Sequence, residues 1–269
     1  MTDSTMSFPP GKESAVSTQP QRTFILIGAS NVAFNLPDIW RGLTTDQPTR
    51  LIVAAGHGRS FGRPSTVLGR TLPGITECSL WKALPEISNG QSARVLMTDI
   101  GNDLLYGADP ETIAGWVQKC ADRLLDSGSQ LALATLPVEM IRRLSRTKFY
   151  LFRRILFPDS KLAFEDLCEL VAELVQRIEN ITASRGIRLL KPDMAWYGFD
   201  PIHFRRRKRS VAWTKYLSAL DESARARNCS VLRGIRIWRC QPAVRNRRGR
   251  RLETSQPVLN HAGSELWLF

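Results

Sequence analysis

Histidine is scarce in this sequence: His57, His203 and His261 are the only three in 269 residues. Chemistry that needs an imidazole therefore has three candidates. Cysteine is sparse as well. The five residues Cys78, Cys120, Cys168, Cys229 and Cys240 are widely spaced and form no CxxC pair, which excludes the usual zinc and dithiol motifs. Their odd number points to free thiols, and Cys120 and Cys168 fall in helical patterns as core residues. No apolar run approaches the roughly 20 residues that cross a bilayer. Residues 1–21 are polar, rich in Ser, Pro and Thr, and lack the basic start and apolar stretch of a secretory signal. The expectation is a disordered leader over residues 1–21 and a cytoplasmic protein.

Acidic residues are thin in the second half. Residues 1–137 hold 11 Lys/Arg against 12 Asp/Glu, a net of −1, whereas residues 138–269 hold 27 against 13, a net of +14. The imbalance suggests an anionic partner, substrate or surface for that half, or a solubilising surface biased towards arginine.

What is present is an alternation of apolar runs and helical patterns. Strands are expected at Thr23–Ile27, Leu51–Ala55, Arg94–Ile100, Leu131–Leu136 and Ile187–Leu190. Asp109-Pro110 carries a helix-start signal, and Ile113, Val117, Cys120 and Leu124 follow at helical spacing. Residues 160–184 read as a long amphipathic helix with Leu167, Leu170, Val171, Leu174 and Ile178 on one face. Residues 209–224 read as the last helix of the domain. The fold class is α/β, a three-layer α/β/α sandwich around a flavodoxin-like, mostly parallel five-stranded sheet. Residues 22–227 form that domain. Residues 228–269, with eight arginines and no acid over 233–251 and an apolar end at Leu266–Phe269, read as a basic C-terminal appendage, either a small β element or an ordered tail.

Functional groups of such sheets gather at the carboxyl ends of the strands. Ser30, Gly58 and Asn102 lie just past three successive strand ends. Ser30 opens a helix after Gly28, where its hydroxyl can be exposed and its N–H can face developing negative charge; a helix cap would occupy the same place. Asp200-Pro201-Ile202-His203 spaces a carboxylate and an imidazole so that one can orient the other, and a structural histidine fits that spacing too. His57, between two glycines, is a possible binding residue and a lesser candidate for the base. Asp193 is a second candidate for orienting the base, Asp103 reads as a brace of its loop, and Asp99 as a buried structural acid.

Four segments together resemble the blocks of the SGNH/GDSL hydrolases. Gly28-Ala29-Ser30-Asn31 looks like block I. Gly58, in Gly-His-Gly-Arg-Ser, is similar to the block II glycine, with Gly56 as its rival. Gly101-Asn102-Asp103 looks like the GND block, and Asp200-Pro201-Ile202-His203 the DxxH block. They occur in family order across residues 22–225. The resemblance implies a serine ester hydrolase with a catalytic triad, acting through an acyl-enzyme. Ser30 would be the nucleophile, His203 the general base and Asp200 its orienting acid. The N–H groups of Ser30 and Gly58 and the Asn102 amide would form the oxyanion hole. No metal or organic cofactor is implied. Two departures stand out: Ala29 replaces the usual block I acid, so a changed hydrogen-bond network is expected there, and Pro201 replaces the usual glycine, at a place where a helix start tolerates proline.

Residues 141–157 mix bulky apolar groups with six basic ones. They could cover an acyl pocket, touch an anionic lipid surface, or form an ordinary amphipathic helix. Arg205, Arg206 and Arg207, just after His203, could bind an anionic part of the substrate or be solvated. The expected partner is a small-molecule or lipid ester, with no specific nucleic acid, since no zinc-finger, RNP-type or helix-turn-helix signature is found. The alternatives are a catalytically silent ligand-binding module, suggested by Ala29 alone, and a binder of anionic polymers through the arginine-rich half.

Overall fold

Phe24–Ile27 is apolar on both sides, as a strand covered by helices on both faces must be, and β1 (Arg22–Ile27) lies inside a seven-stranded sheet. The computed structural model describes residues 22–88 and 91–269, so the expected leader lies outside the described residues. The remaining strands are β2 (Thr49–Ala54), β3 (Ser65–Val67), β4 (Arg70–Leu72), β5 (Arg94–Met97), β6 (Gln130–Ala134), β7 (Arg188–Leu190), β8 (Val244–Arg247), β9 (Arg250–Glu253), β10 (Leu259–His261) and β11 (Ser264–Leu268). The large sheet runs β10-β11-β2-β1-β5-β6-β7, with every neighbouring pair parallel except β10 and β11.

The helices are α1 (Ser30–Thr44), α2 (Leu80–Ser88), α3 (Asn102–Leu105), α4 (Pro110–Asp126), α5 (Val138–Arg142), α6 (Arg146–Leu156), α7 (Phe164–Ser184), α8 (Arg209–Ser218) and α9 (Val231–Trp238). Alternate residues of β1 serve the two faces. Phe24 and Leu26 join a core with Val32 and Ile39 of α1 and Trp213 of α8. Ile25 and Ile27 join the other core, with Val117 and Leu124 of α4 and Val171 and Leu174 of α7. The three-layer α/β/α architecture and the mostly parallel sheet are as expected.

The expected count of five strands is corrected to seven. Both added strands, β10 and β11, lie beyond the arginine-rich stretch, in a segment too short for its alternation to fix a strand by itself. Along β11 the burial alternates, with Leu266 and Leu268 in the core, and Leu266 pairs with Leu51 of β2. β8 and β9 join β3 and β4 in a second, antiparallel sheet. Its register sets Arg70, Arg247 and Arg250 side by side across three strands, an arrangement of like charges that costs stability. Cys168 is also corrected: it is exposed, because it sits one position off the buried stripe Leu167–Val171–Leu174–Ile178 of α7.

The sheet has a switch point. From β1 the chain moves to β2 on one side, and β5 then returns to the other side of β1. The loops leaving β1 and β5 therefore part at the carboxyl edge and open a crevice, the usual ligand position in such sheets.

Candidate active site

The serine turn sits at that crevice. Gly28 admits no side chain: a Cβ there would lie 2.9 Å from both Thr98 Cγ2 and Val32 Cγ2. α1 starts at Ser30 with Ala29 at its cap position and no capping side chain of its own. The cap comes from the neighbouring strand. Asp99 Oδ2 accepts the N–H groups of Ala29 and Asn31, each at 3.0 Å, and Oδ1 accepts the Asn31 side-chain amide at 2.9 Å. These donors would otherwise be orphans of the first turn, and a carboxylate there also suits the helix dipole. Asp99 thus caps α1 from outside the helix. It is half-buried, just past β5, with a φ of 57° that aspartate tolerates better than most residues. Sequence reasoning saw a structural acid in Asp99 but missed its partners, since nothing local links positions 99 and 29.

With the cap supplied elsewhere, the Ser30 hydroxyl is free for another bond. Ser30 Oγ lies 2.8 Å from His203 Nε2, and His203 Nδ1 lies 2.6 Å from Asp200 Oδ2. Asp200 Oδ1 accepts the N–H groups of Ile202 (2.8 Å) and His203 (3.2 Å), closing the DxxH turn. Burial pushes the Asp200 carboxyl up. The His203 hydrogen bond and charge and the two N–H groups outweigh it and leave the carboxyl below its ordinary value. Asn31 clips this turn to the serine turn. Its Nδ2 donates to Ile202 O (3.0 Å) and its Oδ1 accepts from Phe204 N (3.1 Å), one bond on each side of His203. Asn31 belongs to the Gly28-Ala29-Ser30-Asn31 segment, but its clamping role has no sequence signal.

Asn102 lines the cavity beside Ser30 and Gly58 does not. Gly58 has a φ of 59°, and a Cβ there would lie 2.9 Å from Tyr106 Oη and 3.0 Å from Val67 Cγ2, so glycine is required. Its carbonyl accepts the Tyr106 hydroxyl at 2.6 Å. Asn102 is buried at the start of α3, and among the described residues its Nδ2 has no hydrogen-bond partner. Asp103, wholly buried, ties the two loops together: it accepts the Ser60 hydroxyl and, at 2.8 Å, the Phe61 N–H.

Burial pushes the Asp103 carboxyl up to about 6 from its ordinary 3.8, against the favourable pull of Phe61, Ser60 and Arg63. Between those values the folded chain holds a proton that the unfolded chain releases, so stability falls as pH rises from about 4 to about 6. Asparagine keeps the shape without the charge. In urea unfolding at a series of pH values, the difference between wild type and Asp103→Asn should move against the wild type across that window. Parallel profiles would show that the Asp103 carboxyl titrates alike in the folded and the unfolded chain.

An apolar cavity of about 130 Å³ opens beside Ser30. Asn102, Pro201 and Ile202 border it near the serine, and Leu136, Phe149 and Phe157 are among its apolar walls. On another side, the Phe34 ring lies between the imidazoles of His57 (centroids 4.4 Å apart) and His203 (5.3 Å). Burial lowers the pKa of His57, with Arg70 and His203 adding to the effect. His57 is therefore a neighbour of the site, with Phe34 between it and His203. Asp193 caps a short turn through Ala195 N (2.9 Å), away from His203, and His261 is exposed on β10. Arg205, Arg206 and Arg207 are exposed on the turn leading to α8, and none of them lines the cavity. Among the described residues, no group of three or more His, Cys, Asp or Glu could hold a metal ion, and no helix is long and apolar enough to cross a membrane.

No protein-family model and no curated protein matches the chain by sequence. Solved structures do resemble it. A carbohydrate acetylesterase family member from Sinorhizobium meliloti superposes with a TM-score of 0.50 at 12% identity, over 74% of this chain and 99% of that one. Est24, a carbohydrate acetylesterase from the same organism, gives 0.47 at 13% identity, over 74% and 100%. TesA gives 0.46 at 13% identity, over 75% and 99%. At 12% identity the likeness to the first of these is one of fold alone.

Proposed function

We propose that the chain is a serine ester hydrolase of the SGNH type. The observation that carries this reading is the unbroken chain of hydrogen bonds from Ser30 Oγ through His203 to Asp200 at the edge of an apolar cavity. With Nδ1 donating to the carboxylate, Nε2 accepts the serine hydroxyl proton as Oγ attacks the ester carbonyl. The oxyanion is held by the N–H groups of Ser30 and Gly58 and by Asn102 Nδ2, whose missing partner the developing charge supplies. His203 then gives its proton to the leaving alcohol, and an acyl-enzyme remains. Water attacks by the same route: its proton goes to Nε2, its oxygen to the acyl carbon, and Ser30 recovers its proton as the acid departs.

The silent-module alternative rested on Ala29. Asp99 caps α1 from outside the helix, which leaves that alternative without support. The acyl group enters the apolar cavity. A cavity of roughly 150 Å³ takes up benzene, so about 130 Å³ suits the first six or so carbons of an acyl chain. Arg205, Arg206 and Arg207 lie outside the cavity and would meet an anionic part of the substrate only where it stays in solvent.

The test is labelling with a fluorophosphonate, located by mass spectrometry, beside a series of p-nitrophenyl esters. The label is expected on Ser30, and kcat/KM is expected to climb from acetate to about hexanoate and then level. A folded protein unlabelled at Ser30 would sink the nucleophile, and a preference for acetate would sink the acyl-pocket assignment.

A further inference from the structure

α6 has two faces with different surroundings. Its inner face, through Phe149, Phe152 and Arg153, walls the cavity beside Ser30. Its outer face carries Leu151 and Ile155, which are 46 and 64% exposed. Phe199, 65% exposed, stands beside α6: its ring lies 5.6 Å from Phe152, and Lys148 Nζ sits 4.8 Å from its centroid. Large apolar side chains gathered in water gain from being covered.

The same segment is cationic. Residues 140–158 hold six basic side chains and no acid. Arg142 and Arg146 are paired with Glu139 and Glu165. Arg143 and Arg154 are exposed and meet no acid among the described residues. An anionic polymer would satisfy the arginines but would gain little from Leu151 and Ile155. A neutral apolar partner would do the reverse. A surface with anionic headgroups above acyl chains satisfies both, which is the chemistry of an interfacial amphipathic helix.

We infer that α6 and Phe199 form a docking face for an anionic lipid bilayer, which sets the α6 wall of the cavity at the lipid surface. The inference rests on the ester-hydrolase reading and gives it a substrate class, acyl esters of a membrane. Juxtamembrane Lys and Arg draw such a face to anionic headgroups, and the apolar residues enter the headgroup–acyl boundary.

Co-sedimentation with phosphatidylcholine vesicles, with and without phosphatidylglycerol, tests this directly. Wild type should bind the phosphatidylglycerol vesicles about tenfold or more tightly than the neutral ones. Leu151→Ser/Ile155→Ser and Arg143→Gln/Arg154→Gln should each weaken that binding by about tenfold. None of these four residues lines the cavity, so turnover of a dissolved p-nitrophenyl ester should stay at the wild-type level and certify the fold. Ser30→Ala should bind vesicles as wild type does, which separates docking from chemistry. Absent or charge-independent vesicle binding overturns the inference even if the ester is hydrolysed. So does binding unchanged by Leu151→Ser/Ile155→Ser, which would mark a purely electrostatic face. Vesicle binding with this pattern in a protein that cleaves no ester upholds the docking face and removes the catalytic reading alone.

Discussion

Ser30→Ala should lower kcat on a dissolved ester by roughly a millionfold, and His203→Gln should cost about as much. In the proposed mechanism the two groups act as one unit: Oγ is 2.8 Å from Nε2, and neither would begin the reaction without the other. The double change is therefore expected to be no worse than either single change. Stability should hardly move in Ser30→Ala. The hydroxyl does not cap α1, a task Asp99 performs, so no backbone donor loses its partner. His57→Gln should stay within about tenfold of wild type, because Phe34 lies between His57 and His203 and His57 makes no bond to Ser30. Steady-state kcat and KM, read beside a urea midpoint, check all four proteins. Losses that multiply in the double change would mean that serine and histidine act in separate steps. A dead His57→Gln beside an active His203→Gln would transfer the base to His57.

The parts of this molecule legible in its sequence are those that depend on neighbours along the chain. Phe24–Ile27 announces a doubly covered strand by its own composition, and the order of strands and helices follows from similar runs. Ser30, Asp200 and His203 were candidates because each stands at a strand end or in a short spaced motif. What stayed hidden depends on pairing between distant segments. Asp99 reaches the N–H groups of Ala29 and Asn31 because β5 lies beside β1, an adjacency that no local pattern encodes. Asn31 bonds Ile202 and Phe204 across the crevice in the same way. β11 has no assigned place in the sequence reading because five residues of alternating burial are a weak signal, whereas its pairing with β2 is what makes it a strand.

Asp200→Asn should lower kcat by about ten-thousandfold while leaving KM and the fold nearly intact. The reason lies in what each oxygen does. Oδ1 accepts two backbone N–H groups and closes the turn, and the asparagine oxygen can do the same. Oδ2 faces Nδ1 at 2.6 Å, and there the amide nitrogen can only donate. The imidazole must then offer a lone pair at Nδ1 and carry its proton on Nε2, opposite the serine hydroxyl. In that tautomer it cannot accept the proton that attack releases. The carboxyl held below its ordinary value in wild type also stabilises the imidazolium, and this support is lost as well. Asp200→Ala separates the two roles. It leaves the Ile202 and His203 N–H groups unpaired and frees the ring to choose its tautomer, so it should lose more stability than Asp200→Asn but no more activity. Asp200→Asn within tenfold of wild type would mean that another group fixes the ring. An alanine variant far less active than the asparagine variant would show that the turn, rather than the tautomer, is what Asp200 chiefly controls.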